Sequence, residues 1–329
     1  MKWVLIGALP GVIALTVLFG WGTLINLLVA SITAVGCEAL ILMIRRRPVG
    51  FYLNDYSALV TAILLGLSLP PYSPWWLVVT GTCFAIVIAK HLYGGLGFNP
   101  FNPAMAGYVL LLISFPQQMT QWALPLPLLT DSPLTLIDSL QAVFIGNPID
   151  SYTGATPLDL FKHQEGVMVE QIYAEQPLFS QGYWAGGGWE WVNIAFLCGG
   201  LLLIYKRIIT WHGPVAMLVA LTSLTCIFYD GGSSESGGSP LLHLLSGGTM
   251  LGAFFIITDP VSGATSNRGK LIFGAGVGII VYAIRVWGNY PDAIAFAVLL
   301  MNFAAPFIDY YTTPRTYGHQ ASDAITRKQ

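Results

Sequence analysis

The sequence predicts an all-α polytopic membrane protein, with about ten transmembrane helices arranged as two inverted five-helix repeats and with an extracytoplasmic loop domain. Three observations predict this fold class: a high apolar content, a one-sided distribution of basic residues, and a similarity between the two halves of the chain. Of the 329 residues, 55% are hydrophobic and 9% are charged, whereas roughly a quarter of the residues in soluble domains are charged. The net charge of −2, without a long basic run, excludes an obvious nucleic-acid surface.

The predicted spans are apolar stretches of roughly 14 to 24 residues, separated by Gly, Pro and polar residues, and we expect each to form a helix surrounded by membrane lipid. Residues 1–115, membrane repeat 1, contain the first five, near 3–19, 21–44, 56–69, 75–92 and 102–115. Residues 191–311, membrane repeat 2, contain the other five, near 191–206, 212–229, 241–257, 271–287 and 292–311. Residues 312–329 are expected to form a cytoplasmic tail.

The basic residues fix the predicted orientation. If the N-terminus is cytoplasmic, only Lys162 and Arg285 among the 14 Lys and Arg residues fall on the opposite side. The positive-inside rule therefore predicts that both termini are cytoplasmic and that residues 116–190 are extracytoplasmic.

Residues 116–190 form a long polar segment between the two predicted repeats. Against one base, Lys162, its acidic residues are Asp131, Asp138, Asp150, Asp159, Glu165, Glu170, Glu175 and Glu190. Loops of this length usually carry a function. We therefore expect an acidic extracytoplasmic domain here.

Two pairs of strings suggest the internal repeat. Ser57-Ala58-Leu59-Val60-Thr61 resembles Ser246-Gly247-Gly248-Thr249, and Pro103-Ala104-Met105-Ala106 resembles Pro291-Asp292-Ala293-Ile294-Ala295, at offsets close to 189 residues. Because five spans is an odd number, the two halves would have opposite orientations, an arrangement that places a site near the membrane midplane. Apolar helices also resemble each other by composition alone, and this alternative stays open.

The most informative string spans residues 150–161, Asp-Ser-Tyr-Thr-Gly-Ala-Thr-Pro-Leu-Asp-Leu-Phe. Thr156 as N-cap, Pro157 at the first helical position and Asp159 three residues after the cap predict the start of a helix. The hydroxyl of Thr156, preceded by the small residues Gly154 and Ala155, is also expected to be accessible to a modifying enzyme. A phosphate esterified to it would lie where free N–H groups and the helix dipole favour an anion. The pattern leaves both interpretations open.

The string Thr153-Gly154-Ala155-Thr156 resembles the Ser/Thr-x-Ala-Thr flavinylation motif of RnfD (also called RsxD), a membrane subunit of the Rnf electron-transport complex, and of its relative NqrB. Further similar strings occur in order along nearly the whole chain, at residues 94–105, 254–261, 267–274, 310–311 and 317–319. The resemblance implies that Thr156 carries FMN through a phosphoester bond made by a separate, extracytoplasmic flavin transferase. It also implies a second, non-covalent flavin, either FMN or riboflavin, in the membrane domain.

The same resemblance implies a bacterial cytoplasmic (inner) membrane protein and an oxidoreductase subunit that is not catalytic alone. Its partners would be the A, B, C, E and G subunits of an Rnf complex, which couples ferredoxin and NAD redox chemistry to H⁺ or Na⁺ translocation. The chain itself has no sequence signature of a nicotinamide site or of iron–sulfur ligands, so these would come from the partners.

A second match to the short motif, Ser262-Gly263-Ala264-Thr265, is interpreted as a chance match. Thr265 lies in a connection with Arg268 and Lys270 that is predicted to be cytoplasmic, where the transferase does not reach. It also lacks the following Pro and acidic residue that accompany Thr156.

Polar residues near the predicted cytoplasmic ends of the spans give weaker hypotheses. For the second flavin, the candidates are Asn99, Asn102 and the segment near Asp259, although a solvated cap is the more ordinary role of Asp259. Glu38 lies about seven residues before Arg45, so it either sits beside the arginines at the interface or marks an ion path within the hydrocarbon. Cys37, Cys83, Cys198 and Cys226 show no metal-ligand spacing and are expected to be buried apolar residues.

Two other functions remain as alternatives. An inverted-repeat channel or transporter for a small neutral solute would use the same fold without a flavin, but it leaves the acidic 116–190 domain unexplained. A structural membrane anchor would need neither a flavin nor the Thr156 hydroxyl.

Overall fold

The structure, a computed structural model, describes residues 1–129, 132–146, 150–164, 166–288, 290 and 293–312, and these are mostly helical. Five described helices are long and apolar enough to cross a membrane, namely Lys2–Phe19, Gly22–Ile44, Trp75–Leu92, Asn267–Trp287 and Ile294–Thr312. Five shorter apolar helices accompany them: Ser57–Ser68, Pro103–Ser114, Leu136–Ile145, Trp189–Tyr205 and His212–Phe228. The long apolar helices indicate a polytopic membrane protein, as the sequence predicted. The count of ten spans stays a prediction, and Leu136–Ile145 lies within the polar segment 116–190.

The N-terminal half consists of helices joined by short turns. Its helices are α1 (Lys2–Phe19), α2 (Gly22–Ile44), α3 (Val49–Leu53), α4 (Ser57–Ser68), α5 (Trp75–Cys83), which continues as a π-helix over Phe84–Leu92, and α6 (Pro103–Ser114). The turn after α4 is held from within α2, because Asn26 Nδ2 donates to the Pro70 carbonyl at 2.8 Å. This bond satisfies a backbone carbonyl that no helix could use.

The polar segment between the halves, predicted as a loop domain, forms short helices and two short strands. They are α7 (Pro116–Thr120), β1 (Trp122–Ala123), α8 (Leu136–Ile145), β2 (Thr153–Gly154), α9 (Pro157–Lys162), α10 (Val169–Glu175) and α11 (Pro177–Ser180). β1 and β2 pair antiparallel, and the ladder ends two residues before Thr156. Strands of two residues carry no alternating pattern, which explains why the sequence did not reveal them.

The C-terminal half is also built of helices, one of which is interrupted. Its helices are α12 (Trp189–Tyr205), α13 (His212–Phe228), α14 (Pro240–Leu245), α15 (Thr249–Leu251), which continues as a π-helix over Gly252–Ile256, α16 (Asn267–Trp287) and α17 (Ile294–Thr312). The continuous span predicted near 241–257 is therefore wrong, because the helix breaks at residues 246–248.

A side chain of α12 compensates for this break. Asn193 Nδ2 donates to the carbonyls of Leu245 and Gly247, each at 3.0 Å, and its Oδ1 accepts from the backbone N–H of Met250 at 3.1 Å. Broken helices are tolerated at membrane depth where protein groups satisfy the freed backbone in this way.

Neighbouring helices pack through small residues. A Cβ atom on Gly199 of α12 would overlap the carbonyl oxygen of Gly7 in α1, and one on Gly274 of α16 would overlap that of Gly213 in α13. These helices therefore approach at backbone distance, as small residues allow in membranes. The inverted relation of the halves stays a prediction, and both Pro291-Asp292 of the repeat comparison and the tail 313–329 lie outside the described residues.

The cysteines differ in part from the expectation of four buried residues. Cys198 and Cys226 are exposed on the surfaces of α12 and α13, because hydropathy does not separate a helix face towards lipid from one towards protein. Cys37 and Cys83 are partly buried, and their Sγ atoms lie 3.4 Å apart.

Candidate functional site

Thr156 begins helix α9, as its sequence context predicted. Its Oγ1 accepts a hydrogen bond from the backbone N–H of Asp159 at 3.2 Å, and Pro157 occupies the first helical position. The ordinary interpretation of the string as a capped helix is therefore confirmed. Capping uses one lone pair of the hydroxyl oxygen, so Thr156 keeps a hydroxyl group that can be esterified.

The accessibility expected for Thr156 is wrong for this conformation. Its side chain is only 9% exposed, although the preceding Ala155 is exposed. Gly186 packs closely against the next residue, since a Cβ atom there would lie 2.8 Å from Pro157 Cγ. Thr265, in contrast, is exposed, and its backbone N–H donates to Asp309 at 2.9 Å. The N-cap of the following helix is Ser266, not Thr265.

Thr156 lines a mostly apolar cavity of about 90 Å³ between the polar segment and the helical bundle, called here the Thr156 cavity. Trp122 and Trp189 supply aromatic walls, with ring centroids 5.1 Å apart. The cavity continues between the halves to residues of α6 and to the break at 246–248, where Met105, Tyr108, Gly247, Gly248 and Ile256 line it. An apolar and aromatic slot of this kind suits a flat ring system.

Two charged residues fix the polar segment to the bundle. Glu190 is 1% exposed and accepts from the backbone N–H groups of Tyr183 and Trp184, the latter at 2.9 Å. Lys162 donates to three carbonyls at and beyond the end of α16, those of Ile284, Gly288 and Tyr290. Burial lowers the pKa of Lys162, an effect that the nearby Asp159 opposes. These roles were not visible in the sequence, because the partners of both charges are mostly backbone atoms.

A second cavity of about 290 Å³ lies at the other end of the bundle, called here the Lys90 cavity. Lys90, Ser57, Asn99, Asn102 and Asp259 are among its lining residues. The three candidates named for a second flavin are therefore brought together. Among the described residues, the buried Oδ1 of Asn99 has no hydrogen-bond partner, so it can accept from a ligand.

Asp259 differs from the solvated cap that the sequence favoured. Its carboxylate accepts from Ser262 Oγ at 2.6 Å and from the Val261 N–H at 3.3 Å. Burial raises the pKa of Asp259, and the hydrogen bonds from Ser262 and Val261 partly counteract it. The residue is a half-buried acid on the cavity wall.

Glu38 belongs to a buried polar cluster that also includes Lys90, His91 and Ser57. Lys90 Nζ lies 2.6 Å from Glu38 Oε1 and 2.6 Å from Ser57 Oγ, and His91 Nε2 lies 3.0 Å from Glu38 Oε1. Glu38 pairs with Lys90 and His91, whereas Arg45 contacts the backbone carbonyl of His91, so both interpretations of Glu38, as a neighbour of the arginines and as part of an ion path, stay open. In the sequence analysis Lys90 served only as one of the basic residues that fix the orientation of the chain in the membrane. No local pattern could pair it with an acid 52 residues away.

The part of the chain that the structure describes contains no group of three or more His, Cys, Asp or Glu residues that could hold a metal ion.

Comparison with known proteins identifies relatives over nearly the whole chain. The profile of the NQR2, RnfD, RnfE family matches residues 1–318. A Cellvibrio japonicus protein, named as the D subunit of an ion-translocating oxidoreductase complex, is 60% identical over 333 residues, covering 99% of this chain and 94% of its own. Proteins with the same name from Pseudomonas aeruginosa and Marinobacter nauticus are 56% and 55% identical, covering 98% and 97% of this chain and 92% and 91% of their own.

Proposed function

The chain belongs to the NQR2, RnfD, RnfE family, and from that premise we propose that it is the flavin-carrying membrane subunit of an Rnf-type electron-transport complex. Its relatives are named as subunits of ion-translocating oxidoreductase complexes. In general terms, this chain is therefore an oxidoreductase subunit that works together with other subunits. The proposal adds the cofactors, their positions and their coupling to H⁺ or Na⁺.

We propose Thr156 as the covalent FMN site. The single observation that carries this is that Thr156 caps α9 and also lines an aromatic cavity. A phosphate on Oγ1 would lie at a helix N-terminus, and an attached ring could lie against the edge-contacting pair Trp122 and Trp189. Because the side chain is mostly buried, we expect the flavin transferase to act on a conformation in which residues 153–156 have moved away from the bundle.

We propose the Lys90 cavity as the site of a second, non-covalent flavin. Its lining offers a cation, two carboxamides and an acid, and a flavin ring carries both hydrogen-bond donors and acceptors. The Oδ1 of Asn99, which has no hydrogen-bond partner among the residues that the structure describes, fits a donor on the ring. When bound, flavins would supply the chemistry of accepting one or two electrons, whereas the protein sets their positions and electrostatics.

The two cavities favour electron transfer through the protein, because residues of α6 and of the π-helix at 252–256 line both. We further propose that ten helical elements cross the bacterial inner membrane as inverted repeats, with both termini cytoplasmic and Thr156 extracytoplasmic. The A, B, C, E and G subunits would supply the nicotinamide, iron–sulfur and outer flavin sites.

In-gel flavin fluorescence after denaturation tests the covalent site. The full chain is expressed with a flavin transferase as wild type, Thr156→Ala, Thr156→Asn and Thr265→Ala. Asn is as good an N-cap as Thr but has no hydroxyl to esterify, so Thr156→Asn separates loss of the bond from loss of the helix start. We expect fluorescence in wild type and Thr265→Ala only.

The opposite pattern would overturn the assignment. Fluorescence that persists in Thr156→Asn and disappears in Thr265→Ala would move the site to Thr265. No fluorescence in wild type, with transferase activity confirmed on a control substrate, would favour the solute channel, which needs no flavin.

A further inference from the structure

We propose that Lys90 sets the reduction potential of the non-covalent flavin, and that Glu38 opposes it by competing for the same ammonium group. This inference rests on the proposed function, which places that flavin in the Lys90 cavity. It assigns to the buried Glu38–Lys90 ion pair a role in setting the flavin's potential, a role that goes beyond binding the flavin.

The position of Lys90 supports this role. Among the described residues that line the cavity, Lys90 is the only Lys or Arg, and its side chain is 2% exposed. A lysine ammonium has three donors, and the contacts to Glu38 and Ser57 use two of them. The third remains for a group inside the cavity.

The charge of Lys90 matters because reduction changes the charge of a flavin. Lys90 Nζ would stabilise the single negative charge left on the ring after it gains two electrons and one proton. The electrons come from an iron–sulfur or flavin centre of a partner subunit, and the proton comes from water. An ammonium close to that charge in a site with little water stabilises the reduced form more than the neutral oxidised form.

Glu38 acts in the opposite direction. Its Oε1 holds the ammonium at 2.6 Å and also contacts His91, whereas its buried Oε2 has no hydrogen-bond partner among the described residues. A negative charge in the cavity therefore competes with Glu38 for Lys90. Asp259, which also lines the cavity, adds a second acid that disfavours negative charge when it is ionised.

Redox titration of bound riboflavin tests the inference. The full chain carries Thr156→Ala, so that only the non-covalent flavin remains, and riboflavin is the added probe. The variants are Lys90→Met, Glu38→Gln, the double variant, and His91→Gln as a control for a Glu38 neighbour that does not line the cavity. Melting temperatures establish which variants are folded.

We expect opposite shifts from the two partners. Lys90→Met should weaken binding of reduced riboflavin about tenfold relative to oxidised riboflavin, which lowers a two-electron potential by about 30 mV. Glu38→Gln should raise the potential, because the ammonium is then released towards the cavity. The double variant should fall below Glu38→Gln alone, and His91→Gln should move the potential least. The double variant also avoids an unpaired buried carboxylate, so it remains informative if Lys90→Met does not fold.

The outcomes separate the inference from its premise. If the folded Thr156→Ala protein binds no riboflavin, the placement of the second flavin in the proposed function is wrong. If riboflavin binds but the double variant and Glu38→Gln have equal potentials, or both single variants shift in the same direction, Lys90 is a structural residue and the inference is overturned.

Discussion

Asn102 Nδ2 donates a hydrogen bond to the carbonyl oxygen of Ile256 at 3.3 Å, and this bond lies between the two cavities. Asn102 lines the Lys90 cavity, whereas Ile256 lines the Thr156 cavity. The carbonyl belongs to a π-helical turn, so the bond joins the start of α6 to an irregular segment of the other half. One hydrogen bond therefore joins a lining residue of each cavity at this point.

Asn102→Ala should destabilise the protein more than an ordinary lost cap. Asn102 Oδ1 also caps α6 by accepting from the N–H groups of Ala104 and Met105 at 3.1 and 3.3 Å. Losing the cap costs about 1 kcal/mol and losing the bond to Ile256 about 1 kcal/mol more. Asn102→Ser is the matched control, because its hydroxyl can keep the cap of α6 but is too short to reach the Ile256 carbonyl. Thermal unfolding in detergent should give Asn102→Ser a midpoint between those of wild type and Asn102→Ala, and a midpoint equal to that of wild type would contradict a role across the cavities.

Glu190→Gln should loosen the polar segment where it joins α12. The substitution turns an amide N–H₂ towards the N–H groups of Tyr183 and Trp184 or leaves one of them unsatisfied, which costs about 2 kcal/mol. Limited proteolysis should therefore cut faster within residues 181–188. Glu175→Gln, an exposed change in α10, should leave the rate unchanged. Equal rates for the two variants would show that Glu190 does not hold this segment.

Gly199→Ala should disturb the contact between α1 and α12. The added Cβ would overlap the Gly7 carbonyl oxygen, and the helices must separate to accommodate it. Overpacking of this kind costs about 1–3 kcal/mol. Gly36→Ala in α2 is the control, since no atom of another described part of the chain lies within 4 Å of a Cβ there. We expect a lower unfolding midpoint for Gly199→Ala alone, and an unchanged midpoint would refute the close approach.

Asp259→Asn should stabilise the protein in a pH-dependent way. Burial raises the pKa of Asp259 in the folded state above its ordinary value of 3.8, so the folded protein binds the proton more tightly than the unfolded chain. Wild-type stability from this group is fully present below pH 3.8 and is lost as the pH rises through the folded pKa. Asn stays neutral, so the difference in unfolding midpoint between variant and wild type should grow with pH and then level off. A difference independent of pH would argue against a buried, titrating Asp259.

The structural features that depend only on residues close together in the sequence could be predicted from it. The positions of the apolar helices and the start of α9 follow from continuous hydropathy and from the Thr-Pro-x-Asp pattern. The break at 246–248 had a local signal in Gly247-Gly248, but those glycines served only for the repeat comparison. The Glu38–Lys90 pair and the walls of both cavities could not be predicted, because they bring together residues from helices distant in the chain.

The geometry of the buried polar cluster of Glu38, Lys90, His91 and Ser57 depends on the number of residues in each turn of the π-helical stretch Phe84–Leu92. A π-turn holds one more residue than an α-turn, so this stretch places Lys90 and His91 side by side against Glu38. If the same residues formed an α-helix instead, the extra residue that the π-turn accommodates would rotate the last turn by about 100°. Both basic side chains would then leave Glu38 while every lining residue type stayed the same. The cluster therefore depends on the spacing of its residues along the helix as well as on their types, and a shift of one residue decides whether it forms.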